Sequence, residues 1–144
     1  NAAVKDEFWV DAYIAPHTEP TRVNQSWDQL GSQGLVWGVT ADLLPALAPG
    51  GMLTLTVGDA HYWPNLSRVS LPLAWGTSVY AQVDSFDAAT TYGAVLESHE
   101  ILGEDYNNIE MKVVGATTAV SGALEARPVP GRHSPSPGNL PRRP

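Results

Sequence analysis

The stretch FWVDAYI sets Phe8, Val10, Ala12 and Ile14 against Trp9, Asp11 and Tyr13. Successive side chains of a strand point to opposite faces, so this alternation predicts a β-strand with one apolar face. MLTLTV repeats the pattern, with Leu53, Leu55 and Val57 opposite Met52, Thr54 and Thr56. In SVYAQVD, the expected inward set is Val79, Ala81 and Val83, with Tyr80, Gln82 and Asp84 facing solvent. IEMKVV places Ile109, Met111 and Val113 together, and LVWGV and GAVLE read as further short strands. The expected core is Phe8, Val10, Ile14, Leu53, Leu55, Val79, Ala81, Val83 and Ile109.

No window carries apolar residues at the i, i+3, i+4, i+7 spacing of an amphipathic helix. The periodic segments are divided by Gly- and Pro-rich turns such as APHTEP, LGSQG, APGG, GDAHYWPN and LAWGT. Short alternating strands punctuated in this way predict an all-β chain, an antiparallel β-sandwich. There is no internal repeat. Residues 1–115 form the expected domain, and residues 116–144 a strand-like segment running into a Pro-rich tail. The closing stretch EARPVPGRHSPSPGNLPRRP is basic and cannot build a packed core. It is expected to be extended and to rest on protein.

A chain of 144 residues with 43% hydrophobic content is sufficient for one domain with a real core. Its formal net charge of −7 argues against nucleic acid and against an anionic membrane surface. The absence of cysteine removes disulfides, thiolate metal sites and cysteine nucleophiles. No apolar run approaches the roughly 18 residues of a membrane helix, so membrane insertion is not expected. The opening NAAVKDEF has neither an initiator Met nor a signal-peptide layout, and reads as a mature or trimmed product.

The densest titratable stretch is LESHEILGEDYNN, which holds Glu97, His99, Glu100, Glu104 and Asp105. A glycosidase needs two carboxylates across a cleft, one of raised pKa, and the apolar setting that would raise it is missing here. The stretch reads as a solvated acidic link between two strands. Asp84, Asp87, Glu104, Asp105 and Asn107 are hard oxygen donors that hairpin pairing would gather into a calcium site, although EF-hand spacing is absent. The four histidines are scattered without an HExxH pair, and no GxSxG elbow occurs. No catalytic residue is assigned, the chain is read as a non-enzyme, and calcium is the sole candidate cofactor.

Five tryptophans raise a carbohydrate-binding alternative against ordinary core packing. Trp27 and Trp63 lie in turn-rich segments and form the expected exposed pair for a glycan. Asn24 in NQS and Asn65 in NLS match the N-x-[ST] sequon and are candidate glycosylation sites.

The ordered landmarks FWVDAYIAP, VNQSWDQLGSQGLVWGV, LAPGGMLTLTVGD, GTSVYAQVDS and YGAVLESHEILGEDYNNI resemble the CARDB family, the cell-adhesion-related domain found in bacteria. The resemblance implies an immunoglobulin-like sandwich of secreted or surface proteins without catalytic residues. It makes the acidic stretch a signature turn between strands. Against that pattern the chain begins after the first strands, and an incomplete sandwich leaves an open edge. Surplus strand-like sequence, EMKVVGATTAVSGALEARPVP, follows at the other end. It would complete the sandwich within the chain or enter a neighbouring copy, with Val113, Val120 and Leu124 as donor-strand residues. A third arrangement is a fragment whose first strands lie elsewhere. Strand exchange between copies is head-to-tail and yields a filament. The expected role is thus an extracellular or cell-surface adhesive module that forms a homopolymer, with a cell-surface glycan or protein as a further partner.

Overall fold

Every residue of strand β1 (Phe8–Ile14) is buried, so both of its faces are covered. In this computed structural model, which describes residues 3–97, 101 and 107–115, β1 is an inner strand of a four-stranded antiparallel sheet. Its neighbours are β2 (Gln33–Val39) and β3 (Ser78–Val83), and β4 (Ile109–Val113) lies beyond β3, giving the order β2-β1-β3-β4. The ladder between β1 and β2 runs from Phe8 opposite Val39 to Ile14 opposite Gln33. On the other side, Val10 faces Val83 and Ile14 faces Val79. β4 pairs with β3 from Gln82 opposite Ile109 to Ser78 opposite Val113. α1 (Trp27–Leu30) is a single helical turn, and Pro64–Leu66 form a 3₁₀ turn. The chain is all-β, as the alternation predicts.

The period of two divides β1 between two apolar clusters. Phe8, Val10 and Ala12 join Trp37 and Val39 on one face. Half-buried Leu44, Leu53, Leu55, Tyr62, Ala94 and Val95 cover them. Trp9, Val36 and Phe86 form the cluster on the opposite face, under Trp27, Trp63 and Leu66. Each buried aromatic or branched side chain contributes about 1.5–3 kcal/mol relative to exposure, which makes β1 and β2 the stable centre.

The layer over the first cluster departs from expectation. MLTLTV pairs with no strand among the described residues. Leu53 and Leu55 still point at the core, whereas Met52 is 95% exposed. The segment is tied down by side-chain bonds instead of a ladder. The Thr56 N–H donates to Asp59 Oδ2 at 2.6 Å, and the indole of Trp37 donates to the Thr56 carbonyl at 3.0 Å. GAVLE likewise forms no strand, and its Ala94 and Val95 pack on the same cluster.

The valine face of β3 lies on the side of the first cluster, as expected, and Val79 packs there, but it is less buried than the alternation predicts. Ala81 and Val83 are exposed, while Gln82 is fully buried at 0% and Asp84 is buried as well. The reason is hydrogen bonding. The Tyr13 hydroxyl lies 2.5 Å from Gln82 Oε1 and 2.6 Å from the Gln25 carbonyl, and Gln82 Nε2 donates to the Arg22 carbonyl at 3.0 Å. A buried amide with its partners in place avoids the desolvation penalty of an unpaired one. The cover of Leu44, Leu53 and Leu55 packs on a cluster drawn from β1 and β2, which leaves the valine face of β3 partly open. Ile109, also expected in the core, is only half-buried.

The two sheet edges are finished differently. Residues 61–68 run along the outer side of β2. The Gly38 N–H donates to the His61 carbonyl at 2.9 Å, and the Trp63 N–H to the Val36 carbonyl at 2.9 Å. Gly34 and Arg68 exchange two bonds of 2.8 Å, and the Val36 N–H donates to Ser67 Oγ at 2.9 Å. Beyond β4, no described residue continues the sheet.

Candidate functional site

The acidic positions divide into structural anchors and residues outside the described set. Asp84 has a φ of 53°, in the left-handed region that Asp tolerates better than most residues. Its carboxylate accepts the Ala94 N–H at 2.8 Å through Oδ1 and the Val95 N–H at 2.7 Å through Oδ2. Asp87 Oδ1 accepts the Ala89 N–H at 2.9 Å. Asn107 is exposed, and Glu104 and Asp105 lie outside the described residues. Among the described residues there is no group of three or more His, Asp or Glu side chains arranged to hold a metal ion. Two of the expected calcium donors therefore act on backbone N–H groups, bracing the loop after β3.

Asn24 belongs to the same brace. With φ at 63°, it donates from Nδ2 to the Thr90 carbonyl at 2.8 Å and accepts the Asp87 N–H at 2.9 Å. The amide nitrogen that a glycan would modify is thus engaged within the fold. Asn65 sits exposed on the 3₁₀ turn.

The expected tryptophan pair is not a pair. Trp63 packs edge-on against Trp9 with ring centroids 5.2 Å apart, as part of the covered cluster. Trp27 packs on that cluster too, but it also lines an open groove of about 510 Å³ with Asp28, Ser32, Asn65 and Arg68. The 80%-exposed tryptophan is Trp75, in the turn before β3. Asp28, Ser32 and Arg68 escaped the sequence reading. They come from segments far apart in the chain, and the pairing of residues 61–68 with β2 brings them to one groove.

The second candidate site is the outer side of β4, which pairs with no other strand among the described residues. The Val83 N–H donates to the Asn108 carbonyl at 2.9 Å and the Val114 N–H to the Thr77 carbonyl at 2.8 Å. Antiparallel bonding alternates, so Ile109, Met111 and Val113 direct their backbone N–H and C=O groups away from β3. Met111 is 46% exposed and Val83, one strand inward, 48% exposed. Near the start of β4, Val83 also lines an apolar cavity of about 200 Å³ with Val4, Phe8, Leu47 and Val95. Glu110 and Lys112 form an exposed ion pair on the strand. Val113, expected in a donor segment, belongs to β4 itself and faces Ser78. Val120 and Leu124 lie outside the described residues.

The fold and these surfaces define an all-β protein whose described residues build one antiparallel sheet, with one edge covered and the other, at β4, continued by no described residue. No family model, curated protein or solved structure matches the chain.

Proposed function

We propose that this protein is a non-enzymatic, extracellular or surface-attached module of structural or adhesive type, of the CARDB-like immunoglobulin class, that joins copies of itself by strand addition. The observation that carries this reading is the edge of β4, which no described residue pairs and whose outward backbone groups are flanked by exposed Met111 and Val113. An added strand would satisfy those groups through main-chain hydrogen bonds and cover the apolar side chains beside them. The occupant is residues 116–144 of a second copy, where ATTAVSGALEARPVP supplies Val120 and Leu124 at even spacing. The Glu110–Lys112 pair limits indiscriminate pairing, since charged side chains on an edge strand disfavour random partners.

The test compares the full chain, a chain lacking residues 116–144, and Met111→Pro, by negative-stain microscopy and analytical ultracentrifugation. The substitution removes an outward N–H without taking a bond from the β3 ladder. Polymers of the full chain that are lost in both variants support the reading. A monomeric full chain overturns self-association. Unchanged polymers of the truncated chain overturn the assignment of the tail as donor.

A further inference from the structure

We infer that the groove beside Trp27 binds a carboxylate-bearing saccharide, a stretch of a uronic-acid polysaccharide, independently of strand addition at β4. The groove is bounded on one side by α1 and Ser32, and on the other by the 3₁₀ turn and Arg68. The Trp27 ring is held in place from two directions. Its Nε1 donates to the Leu66 carbonyl at 2.8 Å, and its rings rest on Gly34 so closely that a Cβ there would lie 2.1 Å from Trp27 Cγ. A flat aromatic surface that does not have to be ordered on binding suits the C–H face of a pyranose ring, because little side-chain entropy is lost.

The polar groups around that ring have the complementary chemistry. Asp28 accepts the Ser26 hydroxyl at 2.5 Å and has acceptor capacity left, since an ionised carboxylate offers about four lone-pair sites. Asn65 and Ser32 are exposed and able both to donate to and to accept from hydroxyl groups. Arg68 decides the charge of the ligand. Its backbone is fixed by the two bonds to Gly34, its side chain is exposed, and its guanidinium has no ion-pair partner among the described residues. A guanidinium matches a carboxylate with two parallel N–H···O bonds, which a neutral sugar cannot offer. At about 510 Å³ the groove lies within the roughly 300–1,000 Å³ range of ligand sites, and its polar lining is unsuited to an apolar ligand.

The test is affinity electrophoresis of the full chain in gels containing polygalacturonate, alginate or neutral dextran. The protein carries a formal net charge of −7 with a basic closing stretch, so retardation that Arg68→Gln reduces is what separates the groove from that stretch. Retardation is expected in polygalacturonate or alginate, with little in dextran. Arg68→Gln should weaken the acidic interaction by about tenfold, in line with loss of a charged hydrogen-bonding partner. Asn65→Ala, at an exposed position, should weaken it with unchanged circular dichroism. Equal mobility of the native chain with and without both acidic polymers overturns the inference. Retardation of Arg68→Gln equal to that of the native chain overturns it as well, because the guanidinium would then have no part in binding.

Discussion

Tyr13 and Gln82 meet in a fully buried 2.5 Å hydrogen bond between adjacent strands, although 69 residues separate them in the chain. The contact explains why the polar side of β3 is the buried one. The same amide reaches the Arg22 carbonyl, and the tyrosine hydroxyl lies against the Gln25 carbonyl, so the pair fastens residues 22–25 to the sheet. Replacing Gln82 with Leu keeps similar bulk but takes the amide donor from the Arg22 carbonyl and leaves the Tyr13 hydroxyl with the Gln25 carbonyl. Destabilisation of about 1–3 kcal/mol is expected, measured by urea unfolding. Gln82→Leu as stable as the native protein would mean that the amide contributes no more than its volume.

Gly93 is the counterpart of this rule on the loop that follows. Its φ is 98°, and a Cβ there would lie 2.3 Å from Asp84 Oδ2. Gly93→Ala therefore strains the backbone and displaces the carboxylate that holds Ala94 and Val95. A loss of about 2–4 kcal/mol is expected in thermal or urea unfolding. Asp84→Asn should cost less than Gly93→Ala, since it retains one acceptor; the reverse order would refute the brace.

The hydroxyl of Tyr80 donates to Glu19 at 2.5 Å, and this bond, followed by burial and the carboxylate's charge, raises its pKa above the ordinary value of 10.0. The bond exists only while the phenol keeps its proton. Its contribution is complete below about pH 10 and is lost as pH rises through the elevated folded-state value. Ultraviolet difference titration of the native protein against Tyr80→Phe isolates this ionisation. Glu19→Gln should move it back toward the ordinary range. An identical titration in Glu19→Gln would show that the carboxylate has no influence.

The legible part of the sequence was the part governed by local alternation. β1, β2 and β4 fall where short apolar runs between turn signals predict strands, because each pairs with a regular neighbour. β3 was placed correctly and its valines face the first cluster, but Gln82 and Asp84, expected in solvent, are buried. The burial of Gln82 rests on a remote tyrosine that offers it a hydrogen bond, and no local pattern carries that information. MLTLTV alternates like a strand yet lies over the sheet without pairing, since Leu53 and Leu55 need only a surface to cover. The acids Asp84 and Asp87 were singled out for charge, whereas their carboxylates hold backbone N–H groups. The groove was invisible for a simpler reason: Trp27 and Arg68 become neighbours only after residues 61–68 dock on β2.

That docked segment has a further consequence. By closing the outer side of β2, it leaves the described sheet with a valence of one for strand addition. If copies join as proposed, growth through such a sheet would be linear and unbranched. Under the proposed strand addition each subunit would accept a single neighbour, so a head-to-tail assembly of any length would carry one free acceptor edge, at one end only.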